Sequence, residues 1–146
     1  MIKALELYLV TDNNGLEAVD FYKDVFDAEV TACTTFGQAI PDTPEENKNL
    51  LLNASLNIGG IRMQLSDNGP DYDYVQGTNM TACIQVDSVE EAQAIYQKLA
   101  IDAKRIDLEL QETPWSPAYG NLVDKFGMSW QINADIPGFV SEKVTF

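Results

Sequence analysis

One pattern occurs twice in this chain, and that repeat restricts the folds open to it more than any other feature. Glu17-Ala18-Val19-Asp20-Phe21-Tyr22 recurs as Glu91-Ala92-Gln93-Ala94-Ile95-Tyr96, both with helical spacing of apolar residues. Gly60-Ile61-Arg62-Met63-Gln64 recurs as Gly127-Met128-Ser129-Trp130-Gln131, both with a two-residue alternation. The helix-like pair lies farther apart in sequence than the hairpin-like pair, so the length differences belong to loops. Two copies argue for a duplication, since a solenoid shows several short repeats. The simplest account is two tandem βαβββ modules in one α+β domain spanning 1–146, with module one at about 1–68, a linker at 69–77, module two at about 78–134 and a tail at 135–146.

Local patterns fill in the modules. Ile2 to Val10 reads as a strand, with Leu5, Leu7 and Leu9 alternating against Glu6, Tyr8 and Val10. Asp12, Asn13 and Asn14 supply N-cap chemistry for a helix from about Gly15 to Phe26, whose apolar face is Leu16, Val19, Tyr22 and Phe26. Ala28 to Phe36 alternates again. Gly37 to Asn49, with Pro41 and Pro44, reads as an exposed excursion without an element of its own. A hairpin follows, Leu51 to Ile58 and Ile61 to Asp67, turned at Gly59-Gly60. The linker contains Tyr72 and Tyr74 and reads alternatively as a loop covering a ligand. Thr78 to Val86 is a strand, Ser88 to Glu91 a capping box opening a helix to about Ala100, and Lys104 to Gln111 a further strand. The last hairpin turns at Asp124-Lys125-Phe126-Gly127, where Asp bonds its own turn backbone and Gly accepts positive φ.

Composition removes several function classes. With 23 acidic and 9 basic side chains the formal charge is −14, which repels phosphate backbones and anionic membrane surfaces. Neither nucleic acid nor a membrane is an expected partner, and no apolar run approaches the roughly 20 residues of a membrane span. The chain has no histidine, so Cys/His zinc sites and Ser-His-Asp or Cys-His triads are excluded. Cys33 and Cys83 are too few for a disulfide scaffold, and no secretory-type segment opens the chain, so a cytoplasmic setting is expected.

Tyr8-Leu9 followed by Glu17 through Phe26, Ile58-Gly59-Gly60 through Leu65-Ser66-Asp67, and Trp115 through Tyr119-Gly120 to Asp124 through Trp130 together resemble the PhnB-like branch of the glyoxalase, bleomycin-resistance and extradiol-dioxygenase superfamily, the vicinal oxygen chelate proteins. The likeness runs over nearly the whole chain. It implies paired βαβββ modules whose sheets curl around a ligand cup with the helices outside, and a homodimer. On that expectation Glu6, Tyr8, Asn53, Arg62, Gln64, Thr81 and Gln131 line the cup.

Metal-dependent members of this superfamily hold a divalent ion by residues of the first and last strands of each module. The matching positions here are Glu6, Gln64, Thr81 and Gln131, with Leu7 in place of Glu6 if the first strand is shifted by one residue. Only Glu6 is a good ligand, so no tight transition-metal site is expected, and at most a weak divalent cation. Glu6 is either a solvated strand-edge carboxylate or a general base, its pKa raised by burial or lowered by pairing with Arg62. Arg62 either clamps an anionic ligand group or forms an ion pair with Glu6 or another carboxylate. Gln64 and Gln131 are expected to satisfy each other or to grip a polar ligand. Tyr8 is expected to pack, with ligand stacking and acid-base roles as alternatives, and Cys83 to be a small buried thiol. Trp130 is expected in the core, and Trp115 either there or framing the site. The expected function is binding of a small polar molecule. The alternatives are a metal-dependent lyase, isomerase or dioxygenase-type enzyme with a Glu/Gln site, and a non-catalytic dimeric interaction module.

Overall fold

The structure is a computed structural model that describes residues 1–143. It divides into two units, Met1–Val75 and the chain from Gln76 onward. In the first, β1 (Leu7–Thr11) leads into α1 (Gly15–Phe26) and β2 (Glu29–Thr35). A short helix α2 (Phe36–Ala39) and a 3-10 turn (Glu45–Asn47) follow, then β3 (Leu51–Ile58) and β4 (Ile61–Asp67). The sheet order is β1-β4-β3-β2, with β1 parallel to β4 and the other pairs antiparallel. A strand cannot return parallel to itself through a tight turn, and α1 provides the crossover that carries the chain from one edge of the sheet to the other.

Alternation along these strands sends Leu9, Ala54, Leu56, Met63 and Leu65 to one face, where they are buried with Ala18, Val19, Tyr22 and Val25 of α1. Burying each Leu side chain contributes roughly 1.5–3 kcal/mol. The helix face differs from the expected one. Leu16 is 38% exposed, while Ala18 and Val25 are buried. Nor do the expected side-chain caps form at Asp12, Asn13 or Asn14: Asn14 occupies the N-cap without a side-chain bond to the helix. The cap comes from Asp67 at the far end of the unit. Its Oδ1 accepts from the Gly15 N–H at 2.8 Å and the Thr11 hydroxyl at 2.7 Å, and its Oδ2 from the Leu51 N–H at 2.6 Å. A Cβ on Gly15 would stand 2.8 Å from both Asp67 Oδ1 and Leu51 Cβ, so only glycine lets the helix start this close.

The second unit has β5 (Ala82–Val86), α3 (Val89–Leu99), β6 (Arg105–Gln111), β7 (Tyr119–Val123) and β8 (Ser129–Ala134), in the sheet order β5-β8-β7-β6. Its helix is capped locally, Ser88 Oγ accepting from the Glu91 N–H at 3.1 Å. Ala92, Ile95, Tyr96 and Leu99 bury one helix face against β5 and β8. The closing turn is held by Asp124, whose Oδ1 accepts from the N–H groups of Phe126 (2.8 Å) and Met128 (3.0 Å), and whose Oδ2 accepts from the Trp130 indole at 2.8 Å. Gly127 takes φ 84° there.

The curled cup is not formed. Each unit is an open four-stranded mixed sheet with two free edges, β1 and β2 in the first and β5 and β6 in the second. Closure requires the edge strands to pair after a fixed stagger, and four strands with the ordinary twist of about 20–25° between neighbours make a saddle rather than a closed wall. Strand limits also differ from expectation. β1 begins at Leu7 rather than Ile2, leaving Leu5 fully exposed, and β5 begins at Ala82 rather than Thr78. The excursion after β2 contains α2, opened by a capping box between Thr35 and Gln38. Residues 68–81 hold neither helix nor strand. In the tail Val140 is 76% exposed, and Val144 and Phe146 lie outside the described residues.

Candidate functional site

The face of the first sheet turned away from α1 is polar. Parallel pairing sets Tyr8 opposite Gln64, and antiparallel pairing sets Ser55 opposite Gln64. Two-residue periodicity then places Glu6, Asn53 and Arg62 on the same face. These side chains form one connected row. Arg62 Nε donates to both Glu6 carboxylate oxygens, at 2.8 and 2.9 Å, and Gln64 Nε2 donates to Glu6 Oε2 at 3.0 Å. Asn53 Nδ2 donates to Gln64 Oε1 at 3.2 Å and to the Tyr8 hydroxyl at 3.3 Å. Leu7 pairs opposite Met63, so Glu6 and not Leu7 shares a face with Gln64.

The electrostatics follow from that row. The hydrogen bond from Arg62 holds the Glu6 carboxyl below its ordinary value; partial burial pushes the other way and the Gln64 amide adds to the lowering. Arg62 is raised in turn by Glu6. A carboxylate stabilised in its charged form is a weaker base, so this geometry reduces the fitness of Glu6 as a general base. Tyr8, expected to pack, is 45% exposed, with its oxygen engaged by Asn53.

The second sheet has a neutral version of this face. Ser129 Oγ donates to Thr81 Oγ1 at 3.0 Å, Tyr119 OH donates to Gln131 Oε1 at 2.6 Å, and Asn133 Nδ2 donates to Gln85 Oε1 at 2.7 Å. Gln64 and Gln131 thus each find a partner within their own sheet. Asn121 lies opposite Gln131 as Ser55 lies opposite Gln64, so Tyr119 and Asn53, each two residues earlier, hold equivalent places and make equivalent bonds. Sequence reasoning passed over Tyr119 as a site residue; its parity with Asn121 on β7 was the available signal. Trp115 is 47% exposed and meets the Tyr119 ring edge-on at 5.2 Å, which removes it from the core, whereas Trp130 is buried. Cys83 is exposed rather than buried, as is Cys33, and desolvation raises both thiols, which disfavours the reactive thiolate. An open hollow of about 390 Å³ in this unit is lined by Gln85, Val86, Asp87, Glu91 and Asp135.

The donor set does not fit a transition metal. In the first unit both oxygens of the Glu6 carboxylate are taken by Arg62, and the Gln64 oxygen by Asn53. At the corresponding positions of the second unit stand a hydroxyl and an amide. Among the described residues no group of three or more His, Cys, Asp or Glu could hold a metal ion. Zinc, nickel and iron favour imidazole, thiolate or several carboxylates.

Among the described residues no helix is long and apolar enough to cross a membrane. The model of the family described as 3-demethylubiquinone-9 3-methyltransferase matches residues 3–133. Protein YjdN of Escherichia coli (strain K12) is 27% identical over 139 residues, covering 88% of this chain and 93% of that protein. The crystal structure of protein PA1353 from Pseudomonas aeruginosa has a TM-score of 0.81 at 27% identity, covering 91% of this chain and 99% of that one. A PhnB protein from Bacillus cereus shares the fold, with a TM-score of 0.76 at 23% identity, covering 90% and 98%. The chain belongs to the family described as 3-demethylubiquinone-9 3-methyltransferase, and its fold is that of the Bacillus cereus PhnB protein.

Proposed function

We propose that this protein binds a small polar molecule on the helix-free face of its first sheet, without a tightly held transition metal. The observation that carries this reading is the hydrogen-bonded row of Arg62, Glu6, Gln64, Asn53 and Tyr8, aligned on one face and open to solvent at both ends. A row whose members fix one another is preorganised, so less conformational freedom is lost when a ligand docks. Thr81, Gln131 and Trp115 belong to the corresponding face of the second unit and are read as a neutral polar surface of the same kind. Methyl transfer, the reaction in the family's description, calls for a base at the accepting atom. The lowered pKa of Glu6 makes it poorly suited to that role, and equally to an acid-base isomerase.

In the same reading the protein works as a homodimer in the cytoplasm. The exposed apolar side chains of Leu7 and Val10 on the edge strand β1, and of Leu5 just before it, support an interface between two copies, and the two free cysteines suit a reducing compartment. Light scattering on the eluting protein tests the dimer. A thermal-shift and calorimetric screen of small polar metabolites tests the site: a hit should weaken at least about tenfold in Asn53→Ala or Gln64→Ala, as loss of one or two buried-end hydrogen bonds implies. Hits indifferent to both substitutions would refute it. Near-stoichiometric nickel, zinc, manganese or iron in the purified protein, lost in Glu6→Ala, would overturn the metal-free part.

A further inference from the structure

We propose that the ligand held on the first sheet is a small, singly charged carboxylate, taken end-on by the two terminal nitrogens of the Arg62 guanidinium. This deepens the polar-ligand reading and rests on it. Arg62 uses Nε on Glu6, and its two terminal nitrogens have no partner among the described residues. Those two nitrogens form a planar fork whose spacing matches a carboxylate. The Glu6 contact fixes the plane of that fork while the side chain stays 57% exposed.

The bond directions set the ligand's polarity. Glu6 Oε1 and Oε2 and Gln64 Oε1 already accept, from Arg62, Gln64 and Asn53, so the acceptors beside Arg62 are occupied. What remains on offer is donors. A ligand must therefore bring acceptors, and the donor of highest charge is Arg62. Single charge is favoured over double because Glu6 sits beside the fork and the chain carries −14 overall, so each added negative charge is repelled again.

The test is a ¹⁵N-edited NMR titration with sodium acetate, ionic strength being held constant with sodium chloride, and with acetamide as the neutral probe of the same shape. The expected result is a saturable shift of the Arg62 Nε–H and of the Arg62 and Gln64 amides with acetate. Affinity should fall about tenfold or more in Arg62→Gln and by a few fold in Arg62→Lys, which keeps the charge but loses the fork. Unchanged resonances elsewhere in each variant show that the fold is intact. Acetate binding unaffected by Arg62→Gln overturns the proposal, as does inorganic phosphate, the more highly charged probe, binding more tightly than acetate. Acetamide saturating the same residues as well as acetate overturns it and leaves the polar-ligand reading standing. If neither probe shifts this face, the carboxylate proposal falls and the polar-ligand reading is decided by the metabolite screen.

Discussion

The first unit hides its key carboxylate where four elements meet, and the second hides its own inside a turn. Asp67, at the end of β4, joins the end of β1, the start of α1 and the start of β3. By the hairpin repeat the equivalent position in the second unit is Ala134, and the buried carboxylate there is Asp124, which holds its own hairpin and the Trp130 indole. The helices show the reason. α3 starts at Ser88, which caps it from the adjacent residue, whereas α1 starts after an asparagine that makes no cap and takes its acceptor from across the unit. A helix without a local cap needs a tertiary one, because the first N–H groups have no intrahelical partner. The exposed faces differ in the same way: an ion pair, Glu6 with Arg62, in the first unit, and two hydroxyls, Thr81 with Ser129, in the second.

The sharpest way to break this comparison is Asp67→Ala. It strands two backbone N–H groups in a buried place, while Thr11 keeps the Ser66 carbonyl as acceptor, and should cost about 3–5 kcal/mol in urea unfolding. Asp124→Ala should cost about 3 kcal/mol, because two of its three partners lie within its own turn and are more easily rehydrated, and it should shift the Trp130 fluorescence. Ser88→Ala should cost about 1 kcal/mol, while Asn14→Ala, which removes no cap, should stay within about 0.5 kcal/mol. A larger loss for Asn14→Ala than for Ser88→Ala would contradict the division into local and tertiary capping.

The smallest effect concerns acid. Glu6 has a folded pKa below its ordinary 4.5, so its contribution to stability is present above that value and is lost as pH falls through the folded pKa. Arg62→Gln should move the Glu6 carboxyl back up, seen by carbon-detected NMR titration, and should flatten this part of the acid-unfolding curve. A Glu6 titration unchanged by Arg62→Gln would show that the pair does not persist in solution. Thr81 and Ser129 have no such dependence to lose.

Much of this was legible locally. The Gly59-Gly60 and Asp124 to Gly127 turns, the strands β3 and β4 and the cap at Ser88 follow from residue chemistry within a few positions. The shared face of Glu6, Arg62 and Gln64 followed from two-residue alternation, and so did the option that Arg62 pairs with Glu6. The cap on α1 was not legible, because Asp67 and Gly15 are 52 residues apart and nothing near Asn14 signals that the local asparagines stand aside. Leu5 misled for a related reason: alternation marks which residues share a face, but a side chain beyond the end of its strand has nothing to bury against.

By itself, then, the sequence determined the repeat, the identity of the strands and of the two long helices, the polar side of each sheet and the lack of histidine chemistry. All of these depend on side chains and backbone preferences that act over a few residues. Only the tertiary structure decided that the sheets stay open rather than curl, that Asp67 starts the first helix, and that Glu6 is committed to Arg62. Each of these depends on which distant backbone and side-chain groups find one another, and that pairing is settled by long-range hydrogen bonding and burial rather than by local pattern.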